Sequence, residues 1–344
     1  MSSKETDKYV LYYTVESYIK AGKPVSSRYI REHYHLEVSS ATIRNMMLKL
    51  EKDGFLYQPH TSAGRLPTDK GLRSYVNKIF EEAVVPEEKV NFPSEKTYLK
   101  KGDFNSLLFY VSKTLSEYSN NIGFVLSPDI SKINFYHIRL IKISEGKVLI
   151  ILITSYNLVL TEIVRTATYF TQDELDRASY YINENFRGRN LVFVRDYLNK
   201  EVPMARKRFE KFIRKLMGFL KSYFNQEDKE KGIFLEGTSN LLEKTEFFQM
   251  DRIQSLFKNV EERAKIAKFL SDFISLDRVK VLIGSEMDLP EISDCSLVLS
   301  HYGYRRQILG SLGIIGPKRI PYKNIIPLVD CVAKKLSETI SSFH

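Results

Sequence analysis

Two cysteines in 344 residues, Cys295 and Cys331, leave no disulfide framework, and no Cys-x-x-Cys pair or histidine partner gives them zinc-ligand spacing. Both are expected to be small buried hydrophobes in a reducing cytoplasm. Long apolar runs are missing as well. The longest, Val148 to Ile153, is far short of the roughly 18 residues that cross a bilayer, and the start MSSKETDKYVLYY lacks the apolar core of a signal peptide. The expectation is a cytoplasmic chain with no membrane partner. Chemical constellations are equally scarce. Gly310, Gly313 and Gly316 lack the Lys-Ser/Thr of a phosphate-cradling loop and sit beside a strand-like run, so they read as turn glycines. Asp288, Glu291 and Asp294 have no His or Lys nearby in sequence to complete an acid–base or metal site, and His301 has no partner. No catalytic residue, cofactor or metal is expected; an enzyme that processes nucleic acid is the rival reading that this scarcity sets aside.

What is present is enough for two or three domains with cores of their own, and 43% apolar residues argue against disorder. The formal net charge is +10. Its distribution says more than its size: residues 1–79 hold 13 bases against 8 acids, and the other 265 residues hold 39 against 34. Each part carries +5, so positive charge is more than three times denser at the N-terminus, as a domain that neutralises phosphates requires.

That N-terminal stretch runs from Pro24 to Lys70. Ser26 or Ser27 caps a short helix through Arg28, Ile30 and Arg31. Ser39 or Ser40 caps the next, in which Ile43, Met47 and Leu50 form a buried stripe and Gly54 is the stop. The other face of this second helix carries Thr42, Arg44, Asn45 and Lys49, the residue types that hydrogen-bond base edges and phosphates. Phe55-Leu56-Tyr57, a turn-rich Gln58 to Gly64 and a return at Arg65-Leu66 make a hairpin. Helix, turn, capped helix and hairpin, in that order, are the parts of a winged helix-turn-helix. Candidate DNA contacts are Arg28, Ser39, Ser40, Thr42, Arg44, Asn45 and Lys49, with His60, Thr61, Ser62 and Arg65 on the wing. Thr6 to Lys20 supplies a scaffold helix, and Leu72, Tyr75, Val76, Ile79 and Phe80 line a helix after the wing. His33 and His35 read as surface or packing residues.

VSSRYIREHYHLEVSSATIRNMMLKLEKDGFLYQPHTSAGRLPTDKGLRSYV resembles the N-terminal domain of the heat-inducible transcription repressor family HrcA. LEGTSNLLEKTEF, VLIGSEM, DCSLV and GSLGIIGPKRIPYKNIIPLVD resemble that family's later landmarks, in its order. The resemblance implies a GAF-like domain interrupted by a dimerising insert. It also implies an inverted-repeat operator controlling chaperone genes, a GroEL-type chaperonin that keeps the repressor active, and release on heat stress.

Along the remaining chain, Val84 to Lys89 with Pro93 reads as a linker, and Leu107, Leu108, Val111 and Leu115 as a helix. Ile122 to Leu126, Phe135 to Ile143, Val148 to Ile153 and Leu158 to Val164 read as one antiparallel sheet, covered by a helix from Thr171 with a capping box at Glu174. Leu198 to Phe273 reads as helices only, and strands resume at Val279 to Ile283, Leu297 to Leu299 and Leu312 to Ile315. The expected class is therefore α+β multidomain: a winged helix-turn-helix over 1–84, a GAF-like domain in two parts over 95–197 and 276–344, and a mainly helical dimerisation insert over 198–275. Phe209, Phe212, Ile213, Leu216 and Leu220 are the candidate dimer stripe; the alternative is that they form the insert's own core. A second functional reading is a repressor switched by a small ligand in the GAF-like domain, where Tyr302, Tyr304 and Arg305 either line a pocket or fill it.

Overall fold

The computed structural model of the protein describes residues 3–82, 104–128, 133–154, 159–165, 169–194, 197, 233–242, 269–270, 279–304 and 307–342. The expected linker from Val84 and the stripe from Phe209 to Leu220 lie outside the described residues, as does Arg305.

The first eighty residues form three helices, a hairpin and a fourth helix: α1 (Ser3–Ala21), α2 (Ser27–His33), α3 (Ser40–Lys52), β1 (Leu56–Tyr57), β2 (Leu66–Pro67) and α4 (Asp69–Glu81). Side-chain oxygens cap three of them. Ser26 accepts from Tyr29 N, Ser39 from Thr42 N and Thr68 from Gly71 N, so each start is fixed by a residue immediately ahead of it. Between the helices Val10, Val15, Ile30, Ile43, Leu56, Leu72 and Val76 are buried in one cluster. Burying side chains of this size contributes about 1.5–3 kcal/mol each, which holds a domain whose strands have only two residues apiece.

The body is built on a five-stranded antiparallel sheet in the order β7-β3-β10-β9-β8. Its strands are β3 (Ile122–Leu126), β7 (Ile233–Glu236), β8 (Val279–Ile283), β9 (Cys295–Tyr304) and β10 (Gln307–Pro317). A short helix α7 (Thr238–Leu242) follows β7, and helices α5 (Phe104–Ser119) and α8 (Tyr322–Ser342) cover one face of the sheet through Leu108, Val111, Leu115, Val329, Val332 and Leu336. Ile122, Phe124, Leu297, Leu299 and Ile315 form a second buried cluster, with Leu270 and Met287 packed among them. A sheet covered on both faces explains why β3 is buried at all five positions rather than alternating.

Here the expected division of the chain is corrected. β4 (Phe135–Ser144), β5 (Lys147–Thr154) and β6 (Val159–Arg165) do not continue the sheet of β3; they form a separate three-stranded sheet, with α6 (Gln172–Phe186) against β4. The next strand of the body is β7, which lies within the stretch expected to be helical and pairs with β3, Leu126 opposite Ile233. Among the described residues, those from Phe135 to Phe186 already lie outside the main sheet, ahead of the expected insert at 198–275; the stretch 198–232 lies outside the described residues. Strand periodicity reports which residues alternate, but not which strand lies alongside, and that choice is made over more than a hundred residues of chain.

Tyr302 and Tyr304 are buried, and Tyr302 Oη donates to Leu126 O at 2.6 Å. These rings occupy the interior of the body instead of lining an opening. Cys295 is buried, which pushes its thiol up to about 12, and no disulfide joins it to Cys331. Among the described residues no cluster of three or more His, Cys, Asp or Glu could hold a metal, and no helix is long and apolar enough to cross a membrane.

Candidate nucleic-acid interface

Helix α3 owes its exposed face to the way its ends are held. Ser39 Oγ accepts from Thr42 N at 3.1 Å and lies 2.9 Å from Thr42 Oγ1, so the cap is Ser39, and Ser40 is the first helical residue. Ile43, Met47 and Leu50 face the core, and Gly54 leaves the helix with φ +77, a conformation glycine adopts without Cβ strain. The polar residues nominated from sequence fall outside: Thr42, Arg44, Asn45 and Lys49 are all exposed. Two of them are not uncommitted. Thr42 shares its hydroxyl with the cap, and Lys49 Nζ sits 2.6 Å from Asp7 Oδ2, a hydrogen bond that raises the lysine's pKa. Arg28, on α2, is fully in solvent and pairs with Glu32 at 2.8 Å.

With about 100° per residue, the line opposite the buried stripe runs through Ala41, Asn45, Leu48 and Lys52, while Arg44 and Lys49 flank it on either side. Ala41 and Leu48 carry no polar group, so residue type alone does not nominate them. Their spacing from Asn45, four before and three after, is the sequence signal that places them on this line.

The wing is tied from inside. Gln58 Nε2 donates to the carbonyls of Thr61 and Ala63, each at 2.9 Å, which folds the turn and leaves His60, Thr61 and Ser62 exposed at its tip. Arg65 departs from the expectation. It is 8% exposed, its backbone exchanges two hydrogen bonds with Val25 at 2.9 and 2.8 Å, and its guanidinium faces Glu51 with Nε 2.9 Å from Oε2. That Nε has no hydrogen-bond partner, so the contact with Glu51 is one of charge rather than of aligned donor and acceptor. The long side chain folds back under the wing because Val25, ahead of α2, captures the backbone of the returning strand. Gly64 permits this closeness: a Cβ there would lie 2.4 Å from the Val25 carbonyl carbon.

The winged domain is also bolted to the body. Arg73 on α4 donates from Nε to Glu286 Oε1 at 2.7 Å and from Nη2 to Val281 O at 2.7 Å. Asp69 accepts from Ser285 N at 3.0 Å and pairs with Lys318 at 2.8 Å. Lys323, at the start of α8, reaches Glu16 on α1 at 2.8 Å. Beside this junction lies a cleft of about 550 Å³ whose walls include Tyr18, Tyr57, Lys70, Asp294 and Lys318.

The family described as HrcA protein C terminal domain matches residues 105–326. Over almost the whole length the chain is 33% identical to the heat-inducible transcription repressor HrcA of Syntrophobacter fumaroxidans, covering 97% of this chain and 96% of that protein. It is 34% identical to the protein of the same description from Geobacter sulfurreducens, covering 98% of each. A crystal structure described only as that of a hypothetical protein superposes with a TM-score of 0.72 at 27% identity, covering 100% of both chains.

Proposed function

The chain belongs to the HrcA family of heat-inducible transcription repressors, and on that premise we propose that it represses by seating α3 in the major groove of an inverted-repeat operator, two copies acting together. The observation that carries the reading is the capped α3 with its exposed Arg44 and Asn45 beside a wing whose tip is polar and small. Arg44 and Asn45 make the base-edge contacts. Ser40, Lys49 and Arg28 approach the phosphates, with Ser39 and Thr42 fixing the helix start that faces them. His60, Thr61 and Ser62 contact backbone or minor groove from the wing. Arg65 supports the wing from beneath and is not among the contacts.

One winged domain offers few base contacts, so a two-fold dimer raises specific affinity above the non-specific background, and an inverted repeat mirrors its axis. Among the described residues the surface suited to a second copy is the open face of the three-stranded sheet. Ile141, Leu149 and Ile163 stand in one cross-strand row there, and Ile153 is paired with Val159. The opposite face, with Ile138, Leu140, Ile150 and Leu152, is already buried. The family resemblance adds a GroEL-type chaperonin that sustains the active form, and relief of repression on heat stress.

Footprinting of the full chain on its chaperonin promoter tests the reading, run with and without chaperonin. Protection of two half-sites one or more helical turns apart is expected, stronger with chaperonin present. Arg44→Ala and Asn45→Ala should each weaken binding by about 1–3 kcal/mol while melting stays unchanged. Variants that fold and bind normally remove α3 from the interface.

A further inference from the structure

We propose that Leu48, together with Ala41, reads thymine 5-methyl groups in the operator major groove on either side of the base contacted by Asn45. The inference rests on α3 being the groove-entering helix and adds what its apolar residues do there.

A lone exposed leucine is ordinary on a protein surface and needs no explanation. Leu48 differs in its setting. It is 39% exposed, and among the described side chains of residues 7–82 it is the only large aliphatic so exposed; the others are the aromatic rings of Tyr29, Tyr57 and Phe80. It stands on the strip opposite the buried Ile43, Met47 and Leu50, one turn beyond Asn45, with Arg44 and Lys49 to either side. A residue at the centre of a groove-facing strip meets base edges rather than phosphates.

The chemistry then narrows the partner. Leucine neither donates nor accepts, so it cannot pair with the N7, O6, O4 or amino groups that the major groove presents. The one apolar feature in that groove is the C5-methyl of thymine, and alanine or larger apolar side chains meet it by contact alone. Asn45, four residues after Ala41 and three before Leu48, is of the type that bonds adenine at N6 and N7. The strip therefore suits a short A·T-containing step, an adenine held by Asn45 with methyl groups above and below it along the helix. Placing Leu48 against a methyl also removes from water a side chain that the unbound protein leaves exposed, which is a gain made only in the complex.

The test uses the full chain and a duplex that this chain has selected from a random-sequence pool. Each thymine of one half-site is replaced in turn by deoxyuridine, which removes only the methyl group, and binding is measured by competition at fixed salt. At one or two positions the wild-type chain should bind the deoxyuridine duplex about fourfold more weakly, the factor that ~0.8 kcal/mol for a buried methyl corresponds to at 1.4 kcal/mol per tenfold. Leu48→Ala should bind both duplexes equally at that position. Leu48→Gln, close in length and unable to make the apolar contact, should do the same, and it stands in if the alanine variant melts early. A Leu48 variant that keeps the methyl preference at every thymine overturns the proposal, as does a wild-type chain that ignores every deoxyuridine. Arg44→Ala and Asn45→Ala in the same assay separate the two levels. If they bind poorly while Leu48 is indifferent to the methyl, α3 remains the reading helix and only the role of Leu48 falls; if they too bind normally, the reading of α3 falls with it.

Discussion

Arg73 and Glu286 stand 213 residues apart in sequence and meet in a two-pronged ion pair, Arg73 donating from Nε and Nη2 to the two carboxylate oxygens. The same Nη2 donates to the carbonyl of Val281, and Glu286 Oε2 accepts from Ile283 N. The pair thus connects α4 of the winged domain to β8 and to the turn Gly284–Glu286 that follows it. A fork of this shape fixes orientation as well as distance, which a single lysine would not.

Arg73→Ala is expected to lower stability by about 1–3 kcal/mol, because Glu286 and the Val281 carbonyl lose their partner while staying partly covered. Urea unfolding reads the loss. Affinity for a single half-site should stay as it was, since the partners of Arg73 belong to the body and not to α3; an equal fall in half-site affinity places the junction within the reading of DNA itself.

The pairing of Glu16 with Lys323 gives the junction an acid limit. Burial alone raises the pKa of Glu16, but the hydrogen bond and charge of Lys323 outweigh it, and the carboxyl lies below its ordinary value of 4.5 in the folded chain. A depressed carboxyl contributes stability above the unfolded value and loses it as pH falls through the folded one. Melting temperature should therefore decline below pH about 4.5, and Glu16→Gln should flatten that part of the profile. An unchanged profile in the variant shows that other carboxylates set the acid limit.

At the base of the wing, Arg65→Ala and Gly64→Ala should both act on structure. The first leaves Glu51 without the cation it faces, and the second drives a Cβ into the backbone of Val25. Each is expected to cost about 1–3 kcal/mol in thermal or urea unfolding. With Arg65 buried, the slope of log affinity against log salt should not change in Arg65→Ala. A slope smaller by about one unit returns Arg65 to the phosphates.

Because Leu126 and Ile233 face one another in neighbouring strands, the chain between them can be replaced by a two-residue Asn-Gly turn. Circular dichroism of this deletion should show a folded chain, sedimentation should show a monomer, and DNA binding should fall to half-site affinity. A folded deletion variant that remains a tight dimer moves the interface to the winged domain or the five-stranded body.

Helix α3 and its buried side were legible in the sequence because their determinants are local. A cap at Ser39, a stripe of Ile43, Met47 and Leu50, and a glycine at 54 act within a few residues of one another, so their spacing states both the helix and its buried side. The capping box of Thr171 and Glu174 was readable for the same reason. What only the tertiary structure decided is each case where a residue's surroundings come from far along the chain. Arg65 looked like a wing contact and is buried, because Val25 holds its backbone and Glu51 its charge. Four strand-like runs looked like one sheet and are two, because β3 pairs with β7, more than a hundred residues further along the chain, a choice that leaves no trace in strand periodicity. Nothing near Arg73 in sequence names Glu286 as its partner. Local pattern fixes what an element is and which side of it is apolar; which neighbour that side meets, and which polar residues are buried with it, depend on packing that the whole chain closes at once.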